Sequence, residues 1–515
     1  MFNHFHRWFY LLCVFSIPCY ACLWIKNHVG SNVDHIKLFI DKGQAVNVVN
    51  KRFLSVAIDT SEVQKQWSQG KLNFSSPQLQ TLSTALSPSY LRLGGTSADF
   101  LIYSNGGLHG TKHKDFTNFT MSDADWDDIN KFSTQVGWQL IFDVNVLLRT
   151  GQQWDDTNFR KLLEYNAKQG YILYWELGNE PNAFEDGKVT NTTVTSKQLA
   201  QDYRHLRSLL DASVKYRHNF IMGPSVTCPR IGRRPTHGLS EHSQIFMDEF
   251  YQNGGGEVIN ATTWHQYYMD GRIATDDNFT DPDLLDSLIR EIQTMNEVVY
   301  KYNPSAKIWL GETSSTYGGG TKGLSNAYAS GFMWLDKLCI AALYGIDTVI
   351  RQTLYGGSYS LLTSELDPLP DYWLSLLYKR LVGQKVLNVT SSAHGRDTNL
   401  RLIRAYAHCT LPSSEYTKGD VTVVLLNLDK TRSKNVAIEQ FKDLKGIGQY
   451  LLTPHGNGDI RSQIVDLNGK KLKMIDERTL PALLPKTLSP TDGILLPPLS
   501  FGFYVMKGAK ASVCL

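Results

Sequence analysis

Trp175-Glu176-Leu177-Gly178-Asn179-Glu180-Pro181-Asn182 follows directly on an apolar run, Ile172–Trp175. Further on, Ile308-Trp309-Leu310-Gly311-Glu312-Thr313-Ser314 repeats the pattern: an apolar strand that delivers a carboxylate to its own C-terminal end. Six more short apolar runs share this character: Phe53–Asp59, Tyr90–Gly94, Gln139–Asn145, Phe220–Pro224, Ala261–Tyr267 and Ile346–Gln352. Amphipathic stretches such as Ser196–Tyr216, Asp281–Tyr302 and Leu324–Leu343 lie between them. Eight strands alternating with helices predict a (β/α)8 barrel. Near-continuous apolar strands fit a parallel sheet buried on both faces.

The rhythm changes after about residue 385. Leu400–Cys409, Val421–Leu428, Tyr450–Thr453, Ile494–Leu496 and Phe501–Met506 follow one another with turns and no helices. The expected fold is therefore an α/β chain: a barrel over residues 51–385 with an antiparallel β-sandwich over 386–515. The strand-like segment Ile36–Val49 is a candidate addition to that sandwich, giving it residues 34–50 as well.

At 515 residues, 42% apolar and 20% charged, the chain has ordinary globular composition. A net charge of +3 is too small to argue for nucleic acid, and it suits an anionic partner if the positive charge is clustered. The run Trp8–Ile25 behind Arg7 reads as an export signal or a retained membrane anchor covering residues 1–26. Secretion, or delivery to a lysosome, is expected. Sequons at Asn73, Asn118, Asn191, Asn260, Asn278 and Asn388 are compatible with that route. Of seven cysteines, Cys228, Cys339, Cys409 and Cys514 lie outside the leader. None has metal-ligand spacing, and no phosphate loop occurs, so no metal or cofactor is expected.

The two strand-end glutamates are the candidates for chemistry. Strand C-termini are where barrel active sites are built, and strands four and seven lie on opposite sides of the cleft. Hydrolysis of a glycosidic bond requires two such carboxyl groups: a protonated donor to the leaving oxygen, and an ionised partner for the anomeric carbon. Glu180 is the candidate proton donor and Glu312 the nucleophile, with Asn179 placed for the sugar 2-hydroxyl. Retention of configuration would put the carboxyl groups roughly 5–5.5 Å apart.

Longer stretches narrow the reading. Trp175–Asn182, Thr263–Tyr268, Trp309–Gly320 and Asp367–Trp373 together resemble the heparanase-type endo-β-glucuronidases of glycoside hydrolase family 79. The likeness runs from about residue 36 to the C-terminus. It implies a retaining endo-β-glucuronidase acting on an anionic polysaccharide, with heparan sulfate the leading substrate and hyaluronan the alternative. By the same likeness Asp59, Thr96, His265, Tyr267, Arg272, Tyr317, Gly318, Gly319, Gln352 and Tyr359 line the cleft, and Cys409 pairs with Cys514. Read without the family, His265 is a satisfied core histidine and Tyr267 barrel packing. Gly318–Gly320 is either an anion-accepting backbone loop or a plain turn.

Three departures carry information. The family's excised linker corresponds here only to about Ser104–Asp115, which implies a single-chain enzyme needing no proteolysis; a monomer is expected. Of the basic segments, Lys112–Lys114 and Arg230–Arg234 remain, with Arg230, Arg233 and Arg234 as sulfate or carboxylate contacts, followed by an insertion, Pro235–His242. The short loop Gly356–Tyr359, with Thr263–Tyr268 and Val349–Thr353, leans toward hyaluronan-cleaving members. A non-catalytic glycosaminoglycan binder on the same fold is the remaining alternative. The presence of both glutamates argues against it.

Overall fold

The computed structural model describes residues 33–104, 116–186, 189–229, 242–394, 399–438, 440 and 444–515. The leader, Lys112–Lys114 and Arg230, Arg233 and Arg234 lie outside the described residues.

Eight parallel strands form the barrel: Leu54–Asp59, Ser89–Gly94, Trp138–Val144, Tyr174–Leu177, Met222–Val226, Ala261–Gln266, Ile308–Thr313 and Ile346–Arg351. Each pairs with its neighbours in sequence, and the eighth pairs with the first. A bridge between Trp175 and Ile221 closes the ring between strands four and five. All eight runs expected from sequence are strands, with ends moved by two residues at most.

Side chains alternate along a strand, so residues two apart share the barrel interior. Ala57, Tyr90, Ile141, Met222, Ala261, Trp309 and Ile350 fill the lower barrel as one cluster. Tyr90 and Phe220 both pack on Trp309, at 4.9 and 5.2 Å between ring centroids. Two residues further along, Tyr90 gives way to Arg92, Ile141 to Asp143 and Tyr174 to Glu176. An apolar plug therefore seals the base and a charged layer lies above it. Gly94 makes room for that layer, because a Cβ there would stand 2.7 Å from the Arg92 guanidinium carbon.

Helices cover the outside. Pro282–Tyr300 is capped by Asp281, whose carboxylate accepts from Asp283 N, and carries proline in its first turn. It buries Leu284, Leu285, Leu288, Ile292, Met295 and Val299 at helical spacing. Helix Ser330–Leu343 is buried on all sides, because the second domain covers its outer face. Gly331 meets the Phe501 ring there, and Tyr328 stacks on the same ring at 4.7 Å.

The second domain is an eleven-stranded sheet, antiparallel except where Val33–Val48 runs parallel to Ser433–Ile438. One face encloses its own core of Ile36, Leu38, Val423, Leu425, Val436 and Tyr504. The other face supplies Val424, Leu426, Phe501 and Phe503 to the barrel's core. Strand Val33–Val48 pairs with Val382–His394, so the chain enters through the sandwich before it builds the barrel. Val382–His394 follows helix Pro370–Leu381 without a break and carries few alternating apolar residues, which hides it from a sequence pattern. Cys409 and Cys514 are disulfide-bonded with Cα atoms 5.3 Å apart; Cys228 and Cys339 are separate buried thiols. Among the described residues, no helix is long and apolar enough to cross a membrane.

The disulfide spans 105 residues of sequence. A Cys514→Ser variant should lose roughly 2–5 kcal/mol of stability. Guanidinium unfolding should show an earlier transition; an unchanged midpoint would make the crosslink dispensable.

Candidate active site

The fourth strand ends in a sharp turn. Gly178 has φ +83°, where a side chain is strained, and Glu180 follows at φ +52°. Glu180 is held in that unfavourable conformation by its own N–H, which donates to the Ser225 carbonyl at 3.0 Å. Asp99, buried after strand two, accepts backbone hydrogen bonds from Asn179 at 3.0 Å and Val146 at 3.1 Å. The turn is thus fastened to strand five and to the segment after strand two.

Across the cleft, Glu312 is 8% exposed near the end of strand seven. Its Oε2 accepts from Arg92 Nη1 at 2.8 Å, and its Oε1 from the Tyr267 hydroxyl at 2.7 Å. His265 Nδ1 lies 2.9 Å from Glu180 Oε1. One oxygen of Glu180, one of Glu312 and a ring nitrogen of His265 all stand within 4.8 Å of one another. That spacing belongs to the retaining class, in which roughly 5–5.5 Å separates the carboxyl groups. The three groups are of metal-ligand type. Both Glu312 oxygens are already engaged, however, and the Arg92 charge beside one of them opposes a second cation.

Sequence reasoning missed the residue at the centre. Arg92 has no exposed surface and donates to Glu176 Oε2 at 2.6 Å, Glu312 Oε2 at 2.8 Å, Asn179 Oδ1 at 3.0 Å and Asp143 Oδ2 at 3.3 Å. An arginine inside the apolar strand Tyr90–Gly94 was the available signal. Glu176 and Asp143 interrupt their own apolar strands in the same way.

The charges set the acidities. Burial raises the Glu312 pKa, but His265 and Arg92 charges and hydrogen bonds from Tyr267 and Arg92 outweigh it, and the net shift is downward. Glu312 is therefore ionised at neutral pH. Burial with too few counter-charges raises Asp143, Asp59 and Asp99, the last to about 7. Four carboxyl groups near one guanidinium cannot all ionise cheaply.

The remaining candidates divide. Gln352 Nε2 donates to Asp59 Oδ2 at 3.0 Å, closing the wall between strands eight and one. Tyr359 stacks on Tyr267, with centroids 6.3 Å apart. Gly318 and Gly319 have φ near +80° with open space where a Cβ would be, so a ligand can approach their backbone. Tyr317 precedes them in a short strand. Thr96 is half-buried in the turn after strand two. Arg272 is largely exposed and forked onto Asp270, apart from the bonds around the glutamates. Asn73, Asn191, Asn260 and Asn388 are exposed, and Asn118 and Asn278 half-buried.

A closed parallel barrel with two glutamates facing each other at its C-terminal rim defines a (β/α)8 glycoside hydrolase. Residues 36–339 match the family model "Glycosyl hydrolase family 79, N-terminal domain", and the chain belongs to that family. It is 39% identical to heparanase from Gallus gallus, covering 92% of this chain and 95% of that protein. It is 32% identical to hyaluronoglucuronidase from Hirudo nipponia, covering 93% and 99%. The solved structure of 4-O-α-L-rhamnosyl-β-D-glucuronidase from Fusarium oxysporum shares the fold, with a TM-score of 0.62 at 15% identity over 91% of this chain and 100% of that one.

Removing Arg92 should leave Glu312 harder to ionise. In an Arg92→Lys variant, which loses the guanidinium fork, the acid limb of kcat/KM should move to higher pH; an unmoved limb would show that Arg92 does not tune the carboxylate. Arg92→Met should cost about 3–5 kcal/mol of stability, because it strands buried carboxylates.

Stability should also respond to pH with a defined sign. Asp99 has a raised folded-state pKa, so its contribution is fully present below about pH 3.8 and lost as pH rises through about 7. Glu312 has the opposite sign, with stability present above its ordinary value of 4.5 and lost as pH falls through the lowered one. Between about pH 4 and 7 the melting temperature should decline, and Asp99→Asn should flatten that slope. A parallel slope in the variant would exclude Asp99 as its source.

Proposed function

We propose that the protein is a retaining endo-β-D-glucuronidase that cleaves heparan sulfate. The observation that carries this is the pair Glu180 and Glu312, within 4.8 Å of each other, in a chain of family 79. Glu180 protonates the glycosidic oxygen while Glu312 attacks the anomeric carbon, breaking the C–O bond and forming a glycosyl-enzyme ester. Glu180, now ionised, takes a proton from water. That water attacks the same carbon, releasing Glu312 and restoring the β configuration.

The surroundings support these roles. Arg92 and Tyr267 hold both oxygens of Glu312, which keeps it ionised and aims it. Asn179 Oδ1 accepts from Arg92, leaving its Nδ2 for the sugar 2-hydroxyl, a contact that strengthens in the transition state. Backbone amides of Gly318 and Gly319, with Tyr317, Tyr359, Gln352, Asp59, Thr96 and Arg272, form the subsite for the uronate. Arg230, Arg233 and Arg234 add contacts for sulfate.

Hyaluronan is the second reading. The likeness to the Hirudo nipponia enzyme and the short Gly356–Tyr359 loop favour it. The chemistry is the same and the polymer differs. The sequons, the disulfide and the apolar leader support passage through the secretory route. The short Ser104–Asp115 segment supports an active single chain.

Digestion of defined heparan sulfate and hyaluronan oligosaccharides should produce a new reducing end at glucuronic acid, and the relative rates choose the polymer. A new end at hexosamine would refute the class. Glu312→Gln should abolish turnover with the fold intact, and Glu180→Gln should slow it by about 10²–10⁴-fold. On a denaturing gel the active protein should run as one chain; two obligatory fragments would remove the single-chain reading.

A further inference from the structure

The motif Asp367-Pro368-Leu369-Pro370-Asp371-Tyr372-Trp373 takes no part in the chemistry above. Its Asp371 is 2% exposed, in the first turn of helix Pro370–Leu381. Asp371 Oδ2 accepts from Arg351 Nη1 at 2.8 Å and from Ser330 Oγ at 2.7 Å. Arg351 is itself fully buried at the end of barrel strand eight, with its guanidinium 4.8 Å from the Trp334 ring centre. The other prongs of that guanidinium, Nη2 and Nε, converge on one backbone atom, the Tyr359 carbonyl, at 2.7 and 3.3 Å.

A buried ion pair is a poor device for stability alone, since desolvation consumes much of the attraction. What this pair does hold is a single loop position. The loop needs holding, because Gly356 and Gly357 both sit at positive φ and supply no side chains to anchor it. At its far end the Tyr359 ring lies against Tyr267, and the Tyr267 hydroxyl donates to Glu312. On the other side, the loop after strand seven docks through Ser358 N, which donates to the Gly319 carbonyl at 2.7 Å. Both walls of the candidate uronate subsite therefore register on Tyr359.

We propose that Arg351 and Asp371 are positioning residues for substrate: through the Tyr359 carbonyl they set the cleft wall formed by Tyr359, Tyr267 and the Gly318–Gly319 turn. They touch neither the sugar nor the reacting atoms. Their effect falls on how well a glucuronide chain is seated. This rests on the glucuronidase reading of the cleft.

The test is a double-variant cycle of Arg351→Lys and Tyr359→Ala, with Asp371→Asn beside it, assayed on heparan sulfate and hyaluronan oligosaccharides. Hydrogen exchange of the segment 354–362 and melting temperatures are measured in parallel. Arg351→Lys and Asp371→Asn should each raise KM about tenfold while changing kcat less than about threefold. Adding Arg351→Lys to Tyr359→Ala should cost little more than Tyr359→Ala alone, and faster exchange should be confined to the loop. Losses that multiply in the double variant, losses confined to kcat, or faster exchange across the whole barrel would each overturn the assignment. If the unaltered protein cleaves neither polymer, the proposed function falls. The exchange pattern then still decides whether Arg351 and Asp371 hold this loop: faster exchange confined to 354–362 supports it, and unchanged exchange there overturns it.

Discussion

One buried guanidinium organises the upper barrel. Arg92 binds Glu176, Asp143, Glu312 and Asn179 at once, with no exposed surface. A single charge of this kind could not survive in an apolar core, and neither could the carboxylates around it. Each is tolerable only because the others are there. The consequence is geometric. Residues from strands two, three, four and seven must meet at one point, so the separation of Glu180 and Glu312 is fixed by the same contacts that make the charged layer stable.

The rest of the barrel is arranged to permit that meeting. Tyr90, Ile141 and Tyr174 form an apolar floor two residues below Arg92, Asp143 and Glu176, which keeps water from the charged layer on that side. Gly94 leaves space that a methyl group would fill. Asp99 ties the Asn179 amide to strand two, and the Ser225 carbonyl holds Glu180 where few non-glycine residues sit. The outer shell has a parallel constraint. Helix Ser330–Leu343 is buried on every face, its outer side covered by Phe501 and its neighbours from the sandwich.

Regular periodicity made the barrel legible. Eight apolar runs, each separated by a helix, leave few topologies, and the glutamates are conspicuous because each ends an apolar strand. The sandwich was less legible. Val382–His394 carries mixed residues because Val382 and Val386 pack on the barrel while Leu387 faces the sandwich core, and Ser433–Ile438 is mixed because only Lys434 and Val436 are buried. Arg92, Glu176 and Asp143 were written in the sequence as charges inside apolar strands, but a charge in a strand does not say what it meets. Their partners lie 51 to 220 residues away, and only closure of the barrel brings them together. The likeness placed Arg272 in the cleft; its side chain forks onto Asp270, two residues away.

The acidities distinguish this cluster from a merely structural one. A purely structural network is most stable when charges balance, so that no group is driven far from its ordinary protonation. Here they do not balance. Glu312 receives the hydrogen bonds and the positive charge and is driven toward ionisation, while Asp143, Asp99 and Asp59 are driven toward their neutral forms by burial. Two populations of carboxyl group with opposed shifts, a few ångströms apart, are what a displacement at a sugar carbon requires: one permanently negative atom aimed at the carbon, and surroundings that do not add further negative charge behind it. Asp143 and Asp99, both shifted toward protonation beside the Arg92 charge, offset less of it, so it remains available to Glu312. The fold thus maintains a destabilising excess of acids around one base, and the benefit appears in the ionisation of Glu312 at the cleft.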